Sequence, residues 1–136
     1  VFYEGWALYC EQLMQEQGFL KSRQHRFVML KDRLWRALRI IIDVKTQTGG
    51  MTYDEAADLM VRELHFPRAQ ACGDLNWYSQ SPAVPMGYAL GWSIINRMRQ
   101  QENIRLGAKF DLRNFHDRLL GAGSISLPLV ERRHFT

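Results

Sequence analysis

Apolar residues recur every three or four positions along most of the chain, which is the spacing of amphipathic α-helices. The longest of these segments is predicted from about His25 to Thr48, and its apolar face comprises Phe27, Leu30, Leu34, Leu38, Ile41 and Ile42. No stretch alternates apolar and polar residues for long enough to predict a strand, and no internal repeat is visible. The pattern therefore predicts an all-α fold, a bundle of about six helices.

Glycine, proline and capping residues mark where these helices begin and end. Gly18 is expected to end the first helix, because glycine readily adopts the left-handed conformation that follows many helices. Thr52 followed by Glu55 forms a capping box, which predicts the start of the third helix. These signals predict helices at about 3–17, 25–48, 53–66, 68–78, 85–106 and 112–120. Residues 124–130 are expected to form a short extended or loop segment before a last turn.

Two glycines, Gly87 and Gly91, lie four residues apart in the predicted fifth helix. Each costs about 1 kcal/mol in helix propensity relative to alanine. Glycines at this spacing leave one face of a helix without side chains, so that another backbone can approach closely. We therefore expect close helix packing at this face.

The composition is that of a single globular domain over residues 1–136. Of these residues 46% are hydrophobic and 24% are charged, which is enough for one core. No apolar run is long enough for a membrane span, and the net charge of +4 is too dispersed for a nucleic-acid interface. Cys10 and Cys72 are expected to be free thiols. Because the chain begins within a predicted helix, we interpret it as a fragment of a longer protein.

The first helix carries two carboxylates on one stripe. Glu4 and Glu11 are seven residues apart, close to two helical turns, and Leu8 lies between them. Carboxylates on such a stripe either are exposed to water or bind a cation. Glu4 is therefore either a solvated surface group or the ligand that completes a zinc site whose other ligands lie on another helix.

Polar residues also share faces on the second and fifth helices. Arg39 and Asp43 are spaced to form an ion pair within their helix, or they line a polar cleft together with Arg36. Tyr88 and Arg99 share a face of the fifth helix, where a tyrosine hydroxyl either packs in the core or stabilises an oxyanion. His116 is either a hydrogen-bonded core residue or a ligand or base. Physical reasoning alone leaves these alternatives open.

Several motifs together carry a family resemblance. In chain order they read FxEGWALYxEQLM at 2–14, LWRAxRxxxD at 34–43, TxxEA at 52–56, YxxG at 88–91 and FDLRxFHDxLL at 110–120. This series resembles the C-terminal part of the bacterial domain of unknown function 885 family. Members are longer than this chain and are similar to helical zinc metallopeptidases of the gluzincin type, whose His-Glu-x-x-His helix lies upstream of the matched region.

The resemblance implies a zinc-dependent hydrolysis of peptide or related amide bonds. Glu4 would be the third zinc ligand, and the catalytic residues would be Tyr88, which stabilises the tetrahedral intermediate, and Arg99. The substrate-binding residues assigned here are Arg39 and His116, and the supporting carboxylates are Glu11 and Asp43. The expected cofactor is zinc, and the expected partners are a peptide substrate and the upstream part of the same chain.

Two features depart from the family pattern. Gln47 stands where many members have histidine, and Val84 stands where many have a polar or aromatic residue. The His-Glu-x-x-His motif is absent from these 136 residues. Because a catalytic zinc site uses three protein ligands, these residues alone are expected to be inactive and metal-free. The alternative is a non-catalytic helical module that binds a partner or supports another domain.

Overall fold

The computed structural model describes residues 1–135, which form seven α-helices joined by short connections. The helices are α1 (Phe2–Glu16), α2 (Arg23–Gln47), α3 (Tyr53–Leu64), α4 (Arg68–Gln80), α5 (Gly87–Leu106), α6 (Leu112–Gly121) and α7 (Leu127–His134). A short 3₁₀ turn, Gly107–Lys109, joins α5 to α6. No strand occurs within residues 1–135, so the all-α prediction is confirmed.

The helix ends follow the local signals in the sequence. Gly18 has φ +79° directly after α1, as expected for a residue that follows a helix. The Thr52–Glu55 capping box is formed at the start of α3. Asp111 caps α6 by accepting a backbone N–H at 2.6 Å. Ser22 caps α2 in the same way at 3.1 Å, so α2 begins two residues earlier than predicted.

The prediction of an extended or loop segment before the last turn was wrong, because α7 occupies most of it. Pro128 lies in the first turn of α7, where a proline removes no helical hydrogen bond. Leu127 and Val130 are three residues apart and both are buried, which gives this short helix an apolar face. The bundle therefore has a seventh helix that the sequence pattern did not indicate.

The core consists of two apolar clusters that meet along α2 and α5. The first lies between α2, α3 and α4 and includes Leu38, Ile42, Met60, Leu64 and Leu75. The second lies between α1, α5, α6 and α7 and includes Tyr9, Ile95, Phe115, Leu119 and Val130. Cys10 and Cys72 are free, as predicted, and both are half-buried. Within residues 1–135, none of the helices combines the length and apolarity needed to cross a bilayer.

The closest helix contact joins α1 and α5, which run parallel. A Cβ atom added to Gly5 would lie 2.5 Å from the Cα atom of Gly91, and one added to Gly91 would lie 2.8 Å from the Cα atom of Gly5. A Cβ on Gly87 would meet the backbone of Val1 at 3.3 Å. The close packing predicted from Gly87 and Gly91 is confirmed, and Gly5 is its partner.

A buried ion-pair group joins α5 to α6. Glu102 on α5 is only 2% exposed. It accepts hydrogen bonds from Arg105 at 2.8 Å and from Arg118 on α6 at 2.9 Å. These bonds hold the pKa of the Glu102 carboxyl below its ordinary value, in opposition to burial. The two arginines thus offset the cost of burying this charge.

Candidate functional site

Glu4 and Tyr88 meet where α1 packs on α5. Glu4 precedes Gly5, and Tyr88 lies one turn before Gly91, so the glycine contact brings both side chains to the same end of the helix pair. Both side chains are half-buried. The pKa of the Tyr88 hydroxyl is raised, first by burial and then by the neighbouring Glu4 carboxylate. Tyr88 therefore keeps its proton at neutral pH and can donate a hydrogen bond.

Arg39 is held among aromatic rings on the α2 side of this pair. Its guanidinium lies 4.3 Å from the ring centroid of Trp35 and 5.0 Å from that of Tyr88, and it also approaches Trp77. Nε of Arg39 donates to the Tyr78 hydroxyl at 3.0 Å, and Nε1 of Trp35 donates to the same oxygen at 3.1 Å. Because aromatic faces attract cations, these contacts fix a positive charge beside Tyr88.

The ion pair expected between Arg39 and Asp43 is not formed. Asp43 is 1% exposed, and neither of its carboxylate oxygens has a hydrogen-bond partner among the described residues. Arg39 instead donates to Tyr78. Nearby, Asp74 on α4 also has one unpaired buried oxygen, and burial raises the pKa of its carboxyl while Arg39 lowers it. Asp43, which is buried, and Asp74, which is half-buried, thus both have unused hydrogen-bonding capacity.

Arg99 and His116 belong to a separate cluster. The Tyr9 hydroxyl lies 2.8 Å from Nε2 of His116, and Arg99 pairs with Glu16 at 2.8 Å. Burial raises the pKa of Tyr9 to about 12, whereas burial and the Arg99 charge lower the pKa of His116. At neutral pH the Tyr9 hydroxyl and His116 are therefore both uncharged, and they share one hydrogen bond. Arg99 lies eleven residues beyond Tyr88 on α5, about 16 Å along the axis.

The geometry can now be compared with known proteins. Residues 1–133 match the family described as bacterial protein of unknown function (DUF885). The chain belongs to the DUF885 family. This confirms the family resemblance drawn from the motifs, while the gluzincin assignment stays a prediction.

A solved structure resembles this DUF885 chain over nearly its whole length. It is a crystal structure of a protein from Colwellia psychrerythraea that is described as a candidate lipoprotein. The two share 31% sequence identity with a TM-score of 0.90, and the match covers 96% of this chain but 23% of the other. No curated protein matches the DUF885 chain significantly. The chain thus spans about a quarter of the length of that relative.

The other residues predicted from sequence lie outside the Glu4–Tyr88–Arg39 group. Glu11 lines an open pocket between α1 and α2, about 10 Å along α1 from Glu4. Its charge partly offsets the burial that lowers the pKa of Arg33. Gln47 lines a pocket with Tyr78 on the far side of α2, and Val84 is exposed before α5. Of the two departing residues, Gln47 thus lies beside Tyr78, which contacts Arg39, and Val84 is an exposed residue.

The described residues of this DUF885 chain do not form a complete zinc site. Within residues 1–135, no group of three histidine, cysteine, aspartate or glutamate side chains is placed to hold a metal ion. Glu4 is a single carboxylate, and a catalytic zinc ion uses three protein ligands. The described residues alone therefore cannot bind a catalytic zinc ion, and further ligands are needed.

Two members of the cluster were missed by the sequence analysis. Tyr78 receives two hydrogen bonds from α2, and Asp74 lies one turn before it on α4. Their spacing of four residues places them on one helix face, which was the available signal. The four-residue spacing did not indicate that this face of α4 would contact Arg39.

Proposed function

We propose that this chain forms one wall of the active site of a longer zinc-dependent peptidase, with Glu4, Tyr88 and Arg39 lining that wall. The observation that supports this most directly is their convergence. Three residues that are far apart in sequence are brought together by the Gly5–Gly91 contact and by the packing of α2 on α5. The family membership and the length of the Colwellia relative agree with a role as part of a larger protein.

Tyr88 is suited to donate a hydrogen bond to a developing oxyanion. A phenol is protonated at neutral pH, and burial and the Glu4 carboxylate raise the pKa of Tyr88 further, so the donor is present before the reaction begins. Donors fixed in advance stabilise the charge that forms in the transition state of amide hydrolysis. Arg39 adds a positive charge that cannot reorient, because aromatic rings and the Tyr78 hydroxyl hold it. Together they favour negative charge on a substrate oxygen near Tyr88.

Glu4 is proposed as one ligand of a zinc ion in the complete protein. Since the described residues supply no second or third ligand, those ligands must come from outside the 136 residues. A bound zinc ion supplies a Lewis acid and an activated water in peptidases of this kind. No step through zinc is assigned to this chain alone. Its own contribution is the carboxylate, the phenol and the fixed cation.

The test uses a full-length protein that contains this chain. Zinc content and peptide hydrolysis are measured for the unmodified protein and for Glu4→Gln and Tyr88→Phe. Glu4→Gln should lose stoichiometric zinc. Tyr88→Phe should retain zinc and lower kcat by about 10²–10³-fold, the usual effect of removing an oxyanion donor. Glu63→Gln, a change of the same kind at an exposed surface position, should alter neither property.

Two results would contradict the proposal. One is a full-length sequence without a His-Glu-x-x-His helix upstream of Val1. The other is a full-length protein that binds no zinc and hydrolyses no peptide in any variant. The second result would support the alternative of a non-catalytic helical module.

A further inference from the structure

One face of α2 carries an exposed apolar stripe that takes no part in the core. Its positions are separated by three, four, three, four and three residues, and all are exposed. We call this set the α2 stripe, and its members are Phe27, Leu30, Leu34, Ala37, Ile41 and Val44. Other positions around α2, Met29, Leu38 and Ile42, are buried. The α2 stripe is therefore an apolar face that remains exposed on a helix that already packs against the core.

The spacing of the α2 stripe is that of a coiled-coil seam. Alternating intervals of three and four residues give a heptad repeat, which keeps a narrow apolar line facing one partner helix. The α2 helix has 25 residues, about 37 Å, so the seam is long enough for several helical turns of contact. Phe27 is 67% exposed, and Leu34 and Ile41 are each about half exposed. Large apolar residues aligned in this way mark an interaction surface.

The N-terminal part of the α2 stripe forms a groove against α3. Phe27, Leu30 and Leu34 line it from α2, and Leu64 lines it from α3. The groove has a volume of about 420 Å³. A concave apolar groove accepts the side chains of an amphipathic helix. This concavity favours a helix over a flat membrane surface as the occupant.

The border of the α2 stripe is positively charged. Four basic residues, all exposed, lie within the stripe's length or next to its ends, namely Arg23, Arg26, Lys31 and Lys45. Glu63, which lines the groove from α3, pairs with Arg62 at 2.8 Å. A second copy of this chain would therefore place basic borders against each other, whereas acidic flanks on a partner would be attracted.

We propose that the α2 stripe docks an amphipathic helix whose apolar heptad positions are flanked by aspartate and glutamate. The apolar seam supplies the contact area, and the basic border selects the charge of the partner. This surface is distinct from the Glu4–Tyr88–Arg39 group, so the proposal does not depend on the proposed peptidase function.

Two synthetic helical peptides of about four heptads provide the test. Both have leucine at the apolar heptad positions; one has glutamate and the other lysine at the flanking positions. Titration calorimetry with a full-length protein that contains this chain should show one-to-one binding of the glutamate peptide, weakened by salt. The lysine peptide should bind at least tenfold more weakly. Reversal of charge in Lys31→Glu/Lys45→Glu should abolish this preference, because the two new carboxylates cancel the charges of Arg23 and Arg26.

Matched substitutions assign the binding to the stripe. Leu34→Ser should weaken binding of the glutamate peptide at least tenfold, because it removes the centre of the seam. Ile104→Ser on α5, which also removes an exposed aliphatic side chain, should leave binding unchanged. Circular dichroism checks that both variants fold, which is expected since neither side chain is in the core.

Three outcomes would overturn the proposal. Equal binding of the two peptides would show that the flanking charge does not select the partner, and no binding of either would show that the α2 stripe docks no such helix. Concentration-dependent dimerisation that Leu34→Ser abolishes would make a second copy the occupant. Binding to vesicles of anionic phospholipid that Leu34→Ser abolishes, together with no binding of the glutamate peptide, would make a membrane surface the occupant.

Discussion

Replacement of Gly5 with alanine is expected to destabilise the fold by about 2 kcal/mol. The new Cβ atom would lie 2.5 Å from both Cα and the carbonyl carbon of Gly91, whereas ordinary contacts of this kind are 3.4–4 Å. The obstructing atoms belong to the backbone of α5, so no side-chain rotation relieves the overlap. α1 must move away from α5 by about 1 Å, which disturbs the packing of Tyr9 and Ile95 in the core.

The magnitude is a balance of two effects. Forcing extra atoms into a packed helix contact costs about 1–3 kcal/mol, and a backbone obstacle places this change at the upper end. Alanine recovers up to about 1 kcal/mol through its higher helix propensity. The net loss of about 2 kcal/mol corresponds to a melting temperature lower by roughly 8 °C for a chain of this size.

Gly73 provides the matched control. It lies inside α4, and an added Cβ meets nothing within 4 Å. Gly73→Ala should therefore stabilise the protein by about 0.5–1 kcal/mol through helix propensity alone. Urea unfolding of both variants measures the difference directly. The close-packing argument is refuted if Gly5→Ala is as stable as Gly73→Ala.

Two further predictions concern pH. Arg105 and Arg118 lower the pKa of Glu102 in the folded state, so the stability that this carboxylate contributes should be present above about pH 4.5 and lost as the pH falls further. Urea unfolding between pH 7 and 3 should therefore show a weaker loss of stability with acid in Glu102→Gln than in the unmodified protein. An unchanged acid dependence would contradict this. Arg99→Gln removes the positive charge that, together with burial, lowers the pKa of His116, so the pKa of His116 should rise towards its ordinary value in an NMR titration, and an unchanged pKa would contradict this.

Local signals in the sequence predicted the helices well. Thr52, Asp111 and Gly18 act through hydrogen bonds and backbone conformations within a few residues, so their effects are visible without knowledge of the tertiary fold. The loop prediction for residues 124–130 was wrong because a proline such as Pro128 ends a helix or starts one, depending on which turn it occupies. The glycine spacing on α5 predicted a close approach but not its partner Gly5, since the choice of partner is decided by tertiary packing.

The candidate site was less accessible to sequence reasoning. Glu4 and Tyr88 were proposed from the family resemblance, and the structure brings them together. Tyr88 and Arg99 share a helix face, but periodicity gives direction around the axis and says nothing about distance along it. Arg39 was expected to pair with Asp43 at four residues, yet the competing Tyr78 hydroxyl comes from another helix. Contacts of this kind follow only from the packed structure.

The contact between Gly5 and Gly91 also makes the position of the two helices at the site independent of the side chains at positions 4 and 88. Two backbones that touch directly set the distance between α1 and α5 at this end, whereas side-chain bonds such as Gln12–Asn96 and Arg99–Glu16 join the two helices farther along. Residues at positions 4 and 88 can therefore be exchanged while the helix axes stay in place. A histidine or aspartate at position 4 would present a different donor from the same point, which makes this helix pair a suitable scaffold for engineered metal or proton-transfer sites.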